Sequence, residues 1–457
     1  MFKKITAALL VTTVGSGAFA QKASIEDRLA ELEAQQSLNI FSFNGALETR
    51  YDAIKSEQTD PATATAPAFK GNVNYLRMKA SLGVNADVSQ HIKFYSKFTS
   101  SKYTNVYNTQ AVGVGSAPST SQDLYVAKDE RGADLFVEKA YADVQIPNSG
   151  FVFSFGRLST SDGPPFHLPH SRPRMGTYPG LLYNAELDGL ALSYNGKAGD
   201  GTWAARYVYT PFHRYATSSG KAGGMPGLIT SPTLAGNKSE TMIRLDSAML
   251  EYNNRNIGFA DGISVILQGW QTGKLGITAS ELNGGSGIDA NSAVEFQIGA
   301  QGLHIDLENV AQSGFDFSAT YVQSQLKNSG CLTTSGVCAA ASVKGFGAKE
   351  EGETLTGAST LLAARYRFLS NDYVGLEYLV GGKSVFIYDT NNDSISNFYS
   401  TPGTGTHVYL IHKFTPELGL RVGYMEQKYK STPFNLGESK DTDRKIQTTY
   451  ANLRLDF

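Results

Sequence analysis

Apolar residues recur at every second position along much of this chain, and that period restricts the fold more than any other feature. In the final stretch, KIQTTYANLRLDF, one face carries Thr449, Ala451, Leu453, Leu455 and Phe457. Successive side chains of a β-strand point to opposite faces, so one face can meet lipid while the other meets a polar interior. The pattern predicts an all-β protein, a transmembrane antiparallel β-barrel.

Segments with this period occur about 16 times, and single-chain bacterial barrels have an even number of strands. The predicted strands are Asn39–Tyr51, Val73–Val88, Ile92–Thr104, Leu135–Ile146, Phe151–Arg157, Ala185–Tyr194, Thr202–Thr210, Met242–Asn253, Ile263–Lys274, Phe296–Val310, Phe315–Lys327, Thr356–Phe368, Tyr373–Phe386, Thr406–Phe414, Leu418–Lys430 and Lys445–Phe457. Phe296–Val310 can also be split into two strands; it is kept whole because splitting it would break the even number.

The connections between these strands alternate between short and long. The short ones are Ser89–His91, Pro147–Gly150, Asn195–Gly201, Asn254–Gly262, Ala311–Gly314, Leu369–Asp372 and Thr415–Glu417. The long ones are Asp52–Asn72, Asn105–Asp134, Leu158–Asn184, Pro211–Thr241, Leu275–Glu295, Asn328–Glu353, Tyr388–Gly405 and Ser431–Arg444. Short periplasmic turns alternating with long outer loops are typical of outer-membrane barrels.

The N-terminus predicts export. Two lysines precede the apolar run Ile5–Val14, and Ala18 and Ala20 form a small-x-small cleavage site, so residues 1–20 are predicted to be a signal peptide. Residues 21–38 are predicted to form a short periplasmic helix or linker, which either joins subunits as a coiled coil or packs beneath the barrel mouth. The barrel itself is assigned to residues 39–457.

Composition agrees with a barrel and excludes some partners. Charged residues make up 18% of the chain, below the roughly 25% of soluble domains. The formal net charge of -2 gives no indication of a nucleic-acid partner. We expect no cofactor. Cys331 and Cys338 lie in a Gly/Ser/Thr-rich stretch, and in an exported protein they predict one local disulfide. No cluster of histidine or carboxylate accompanies them, so no metal site is predicted.

Strand parity predicts which charged side chains face the interior. With aliphatic residues outward, the inward bases are Arg50, Arg77, Lys79, Lys93, Lys97, Lys139, Arg206, Arg244, Arg365, Arg367, Arg421 and Arg454. The inward acids are Glu48, Asp143, Asp246, Asp306, Glu308, Asp316, Glu377 and Asp456. The excess of bases predicts a pore lining that favours anions. The alternative is that these charges pair across strands and only solvate a wide interior.

The sequence does not predict an enzyme. Gly284-Gly285-Ser286-Gly287 lacks the strand–turn–helix context of a nucleophile elbow. His304 near Asp306 is interpreted as pore lining rather than as a catalytic pair.

The whole mature chain resembles the bacterial porin superfamily, general and anion-selective porins included. Gly156-Arg157, the run TSDGPP beginning at Thr160 and the run GTYP beginning at Gly176 look like a segment of uncharacterised Gram-negative outer-membrane proteins of unknown function. The N-terminal helix also resembles the leaders of some anion-selective porins. The resemblance implies a location in the bacterial outer membrane, contact with its lipid and lipopolysaccharide, insertion by the barrel assembly machinery, and a homotrimer.

In general porins the third outer loop folds into the barrel and narrows it. Here the third long connection, Leu158–Asn184, is rich in proline and carries His167, His170, Arg172 and Arg174. By resemblance these four residues are the candidate pore constriction; the alternative is a rigid surface loop for shielding or subunit contact. The acidic PEFGG-like tip of general porins is absent, so cation preference is not implied.

Three functions fit the sequence. The favoured one is an outer-membrane porin that passes small hydrophilic solutes and ions by diffusion, with a mild preference for anions. The second is a structural or adhesive barrel occluded by its own loops. The third is a transporter of hydrophobic substrates, which usually needs an N-terminal plug domain larger than residues 21–38 provide.

Overall fold

The chain folds into one closed antiparallel β-barrel of 16 strands. The computed structural model describes residues 40–59, 69–103, 135–212, 243–255, 257–273, 275–278, 293–332, 352–385, 387–389, 396–431 and 441–457. The predicted signal peptide and the predicted helix at 21–38 lie outside these residues. Among the described residues, none of the helices has the length and hydrophobicity of a membrane span.

The strands follow one another around the barrel in chain order. They are β1 (Phe41–Thr59), β2 (Phe69–Ser89), β3 (Ile92–Tyr103), β4 (Leu135–Gln145), β5 (Phe151–Leu158), β6 (Tyr183–Asn184), β7 (Leu187–Ala198), β8 (Gly201–Phe212), β9 (Ile243–Arg255), β10 (Gly262–Thr272), β11 (Leu275–Thr278), β12 (Ala293–Val310), β13 (Phe315–Leu332), β14 (Thr354–Leu369), β15 (Asp372–Gly381), β16 (Tyr388–Asp389), β17 (Gly403–Lys413), β18 (Leu418–Ser431) and β19 (Asp441–Asp456). Both β10 and β11 pair with β12 and count as one barrel strand, whereas β6 and β16 pair only with each other.

The ring closes between the first and last strands, because β19 pairs with β1 over a long register from Ala46↔Asp456 to Thr59↔Asp443. At the seam, Gly45 N donates to Phe457 O at 2.7 Å, and Phe457 N donates to Gly45 O at 3.0 Å. The alternation predicted for the last strand is confirmed: Leu453 and Leu455 are exposed on the outer wall, and Tyr450 is buried in the interior.

Aromatic side chains mark two levels on the outer wall. Phe151 and Phe315 begin strands at the end with short connections, and Phe457 ends the chain there. Farther along, an exposed tyrosine is the seventh residue of each of four strands that run the same way, Tyr207, Tyr321, Tyr378 and Tyr424. An apolar band between two aromatic levels is the expected lipid contact of a transmembrane barrel.

The predicted strands each overlap an observed one, and the alternation of short and long connections is confirmed. The main difference lies at β15: the sequence pattern predicts a strand that runs to Phe386, and the strand ends at Gly381. The chain leaves the wall there and turns into the barrel, where Val385 and Ile387 are buried.

Two of the long connections fill part of the interior. We call residues 159–186, between β5 and β7, the third loop; it contains the short helix α1 (His167–His170). We call residues 382–402, between β15 and β17, the seventh loop; its described parts are 382–385, 387–389 and 396–402. Leu181 and Leu182 of the third loop and Val385 of the seventh loop share one buried apolar cluster with inward residues of the barrel wall, among them Trp270.

Candidate functional site

The third loop crosses the interior and is held on β10 at two points. Trp270 Nε1 donates to the carbonyl oxygen of Leu182 at 2.9 Å. Arg174 Nη1 donates to Ser264 Oγ at 3.0 Å. Arg174 also forms an ion pair with Glu251 on β9, which is buried. The loop therefore lies against the wall formed by β9 and β10.

Two wall arginines bind helix α1 of this loop. Arg421 Nη1 donates to Pro169 O at 2.8 Å, and Arg365 Nη1 donates to Leu168 O at 3.2 Å. The last carbonyl groups of a helix have no partner within the helix, so side-chain donors are needed when that end is buried. Arg365 also pairs with Asp316 at 2.6 Å, which fixes the orientation of its guanidinium.

The four residues of the predicted constriction point to different places rather than forming one ring. Arg174 binds Glu251, and His167 lies 4.0 Å from Asp306 on β12. His170 is half-buried at the end of α1. Only Arg172 faces the opposite wall of the barrel. Its guanidinium lies 3.7 Å from the carboxylate of Asp162, which belongs to the same loop.

Arg172 and Asp162 border a narrow space between the third loop and the wall formed by β1, β2, β3 and β19. We call this space the charged gap. Its lining residues are Ala46, Glu48, Lys79, Ser81, Lys97, Asp162, Arg172 and Arg454. Lys97 Nζ lies 3.8 Å from Asp162, which is the contact between wall and loop across the gap. Four basic and two acidic residues therefore face one another where the loop is not sealed by apolar packing.

Charge interactions set the ionisation of the loop side chains. Burial raises the pKa of Asp162, but Arg172 and Lys97 outweigh it, so the pKa lies below its ordinary value. Burial lowers the pKa of His167, which Asp306 opposes only in part. The gap thus keeps an ionised aspartate among its bases.

Apart from Lys139 and Arg244, the predicted pore-lining bases fall into three groups. Arg50, Arg77 and Arg421 are buried on the inner wall; Arg50 pairs with Asp52 at 2.8 Å, and Arg77 pairs with Glu48. Lys79, Lys97, Arg206, Arg365 and Arg454 are partly exposed on the same wall. Lys93 and Arg367 are exposed near the end with short connections.

Arg244 is on the other face, and its predicted inward placement is wrong. Its side chain is 64% exposed and pairs at 3.0 Å with Asp246, which was also predicted inward. Leu245, between them, is 1% exposed and belongs to the interior apolar cluster. The rule that aliphatic residues face lipid fails here because the third and seventh loops make this side of the interior apolar.

Sequence reasoning missed several acids of the inner wall. Glu138 lies at a β-bulge, because the register passes from Lys97↔Lys139 to Phe98↔Val137 and leaves it without an opposite residue. It accepts hydrogen bonds from Lys97 Nζ and Thr99 Oγ1, both at 2.5 Å. A strict period of two places Glu138 outward, so no simple signal in the sequence would have found it.

A Thr–His–Asp set lies in the interior, but it is inaccessible. His304 Nδ1 is 2.7 Å from Thr320 Oγ1, and His304 Nε2 is 2.9 Å from Asp306. Thr320 and His304 are at most 1% exposed, so the contacts join β12 to β13 and present nothing to a solute. Within the described ranges, no three His, Cys, Asp or Glu residues are grouped as a metal site would require.

One family profile and several solved structures are similar to this chain. The family profile described as a protein of unknown function (DUF3373) matches residues 70–209, a minority of the chain that runs from β2 into β8 and includes the third loop. No curated protein sequence matches the chain.

Three solved structures are among those similar to this chain. Outer-membrane expressed OmpT of Vibrio cholerae is 14% identical, with a TM-score of 0.45, over 91% of this chain and 97% of that one. An anion-selective porin from Comamonas acidovorans is 10% identical, with a TM-score of 0.45, over 91% and 99%. Salmonella typhi OmpF in complex with daunomycin is 9% identical, with a TM-score of 0.43, over 91% and 97%. At this similarity they carry no argument about solutes, and the strand pairing itself establishes the barrel.

Proposed function

We propose that this protein is an outer-membrane porin for small hydrophilic solutes and ions, whose diffusion path opens at the charged gap, a space of about 10 Å³ that holds about one water molecule in this structure. The supporting observation is the contrast between the two sides of the interior. The third loop packs with apolar side chains against β10, whereas toward β1–β3 it presents Asp162 and Arg172 to Lys97 and other charged wall residues. Ions cross where charged side chains can replace part of their hydration.

The gap supports a mild preference for anions. Bases outnumber acids among its lining residues, and low-dielectric walls focus the resulting field. Inner-wall arginines pair with a carboxylate both at the gap, as Arg454 does with Glu48, and away from it, as Arg206 does with Glu251. Selectivity is therefore expected to be mild.

The outer wall supports the proposed surroundings. Exposed leucines between aromatic levels fit contact with membrane lipid, and the long connections would then meet lipopolysaccharide on the outer side. Insertion by the barrel assembly machinery and assembly as a homotrimer remain expectations from the porin resemblance.

A second candidate is a barrel that its own loops occlude. The apolar cluster that joins the third and seventh loops to the wall favours it, because packed apolar side chains exclude water. Such a barrel would serve a structural role in the membrane.

Conductance of the purified full-length protein in planar bilayers separates the two candidates. A porin gives discrete channels, with a reversal potential under a KCl gradient that indicates anion preference. An occluded barrel inserts without forming channels. Circular dichroism of the same reconstituted samples would then show that the protein is folded as β-sheet.

A further inference from the structure

The seventh loop is fastened to the inner wall. Gln427 Nε2 on β18 donates to Ser396 O at 3.0 Å and to Thr401 Oγ1 at 2.8 Å. On β17, a Cβ atom at Gly405 would lie 2.8 Å from the ring of Phe398, so glycine is what lets this ring lie against the strand. Ser396, Phe398 and Thr401 are all buried.

Tyr399 ties the same loop to a buried carboxylate. Its hydroxyl donates to Glu377 on β15, 3.0 and 3.1 Å from the two carboxylate oxygens. His407 holds that carboxylate from the other side, with Nδ1 2.6 Å from Glu377 Oε2, and its Nε2 lies 2.8 Å from Tyr450 OH. Glu377 is 0% exposed, and a buried carboxylate with several hydrogen bonds fixes the geometry of its partners.

The fastened loop touches the third loop at two places. The ring of Tyr399 meets that of Phe166 edge to face, with centroids 5.0 Å apart at 83°. The two loops also pair as parallel strands, β6 with β16, in the register Tyr183↔Tyr388 and Asn184↔Asp389. The third loop thus has one side on the wall and another on the seventh loop.

We propose that the seventh loop positions the third loop, with Tyr399 as the positioning residue that sets the width of the charged gap. The inference rests on the proposed function and adds a second loop to its machinery. Tyr399 and the β16 segment of the seventh loop lie against the third loop and thereby oppose its movement away from Lys97 and Lys79. Glu377, His407 and Gln427 act on the gap only through Tyr399 and its neighbours.

A cross-link tests the positioning without any need for conductance. Tyr183→Cys and Tyr388→Cys are introduced into full-length protein that carries Cys331→Ser and Cys338→Ser. Paired strands are about 4.8 Å apart, which suits a disulfide. We expect rapid oxidation in this background and about tenfold slower oxidation with Tyr399→Ala, in line with the loss of one aromatic pair and a charged hydrogen bond. Tyr399→Phe, which keeps the ring, should give an intermediate rate.

The control is Tyr378→Ala, which removes an exposed tyrosine from the outer face of the same strand as Glu377. It should leave the oxidation rate unchanged. Absence of the cross-link in the parent background, or equal rates in the parent and Tyr399→Ala, would overturn the proposal.

Bilayer recordings then connect the position of the loop to the gap. Tyr399→Ala should raise single-channel conductance. Oxidation of the two cysteines introduced by Tyr183→Cys and Tyr388→Cys should return the conductance of that variant to the parent value. If the protein conducts and Tyr399→Ala leaves its single-channel conductance unchanged, the proposal is overturned while the porin function stands. If no variant conducts, the porin function fails, and the oxidation rates still decide whether Tyr399 positions the third loop.

Discussion

Arg421 on β18 donates a hydrogen bond of 2.8 Å to the carbonyl oxygen of Pro169, a residue 252 positions earlier in the chain. With Arg365, it holds the end of helix α1 inside the barrel. An arginine that looks like pore lining in the sequence is therefore an anchor for a loop. This assignment can be tested with the chain's own tryptophans.

Trp270 reports whether the third loop is docked, because its indole binds Leu182 O and is buried. The chain has two tryptophans, so Trp203→Phe leaves Trp270 as the single tryptophan, whose emission is excited selectively at wavelengths that tyrosine does not absorb. Arg421→Ala removes a charged hydrogen bond, about 1.5–3 kcal/mol. We expect a red shift of Trp270 emission and faster quenching by acrylamide. Arg367→Ala, at an exposed position on the inner wall, is the control, and equal quenching in the two variants would contradict the anchor.

Arg172 and Arg174 have separate roles in the structure. Arg172→Ala removes a positive charge from the gap, so the reversal potential should move toward cations, most strongly at low salt where screening is weak. Arg174→Ala removes the contacts with Glu251 and Ser264 and should instead increase quenching of Trp270. The two variants are compared by reversal potential and by fluorescence. Identical effects in both measurements would argue against the separation.

The sequence predicts the barrel wall better than its contents. Lipid outside and polar groups inside impose a period of two on every strand, and that is why the strands could be found. The period is misleading where the interior is apolar, as at Leu245, and where a bulge shifts it, as at Glu138. The inward turn after Gly381 has no local signal either, because Val385 and Ile387 alternate like strand residues and are buried by contacts distant in the chain.

Asp162 should give the channel a dependence on pH. Its pKa is held below the ordinary value of 3.8 because Arg172 and Lys97 outweigh burial. At a pH above the pKa of Asp162 in the unfolded chain, this shift stabilises the folded protein. The stabilisation is lost as the pH falls through the lower pKa of Asp162 in the folded protein. The same protonation removes a negative charge from the gap, so the part of the anion preference that Asp162 controls should rise only below the ordinary aspartate pKa. Reversal potentials from neutral to acid pH are the measurement, and Asp162→Asn should remove this low-pH part and leave any change caused by other carboxylates.

Cys331 and Cys338 remain predicted to form a disulfide; Cys331 lies in β13, and Cys338 is outside the described residues. A free-thiol assay on the unreduced mature protein should find no reactive cysteine. Reduction should leave the barrel folded, because the bridge would close only a short loop at the outer end of a strand. Barrel unfolding on reduction, measured by circular dichroism, would show a larger role.

In the proposed porin, solutes pass through the charged gap and not through the side filled by the two loops. Cysteine accessibility during conduction tests it most directly, in protein with Cys331→Ser and Cys338→Ser. Ser81→Cys lines the gap, and Ser359→Cys, on the inner wall of β14, is buried on the filled side. A charged thiosulfonate reagent should reduce single-channel conductance of the Ser81→Cys channel and leave the Ser359→Cys channel unchanged. Reduced conductance of the Ser359→Cys channel, with no change in the Ser81→Cys channel, would show that solutes take the side filled by the loops.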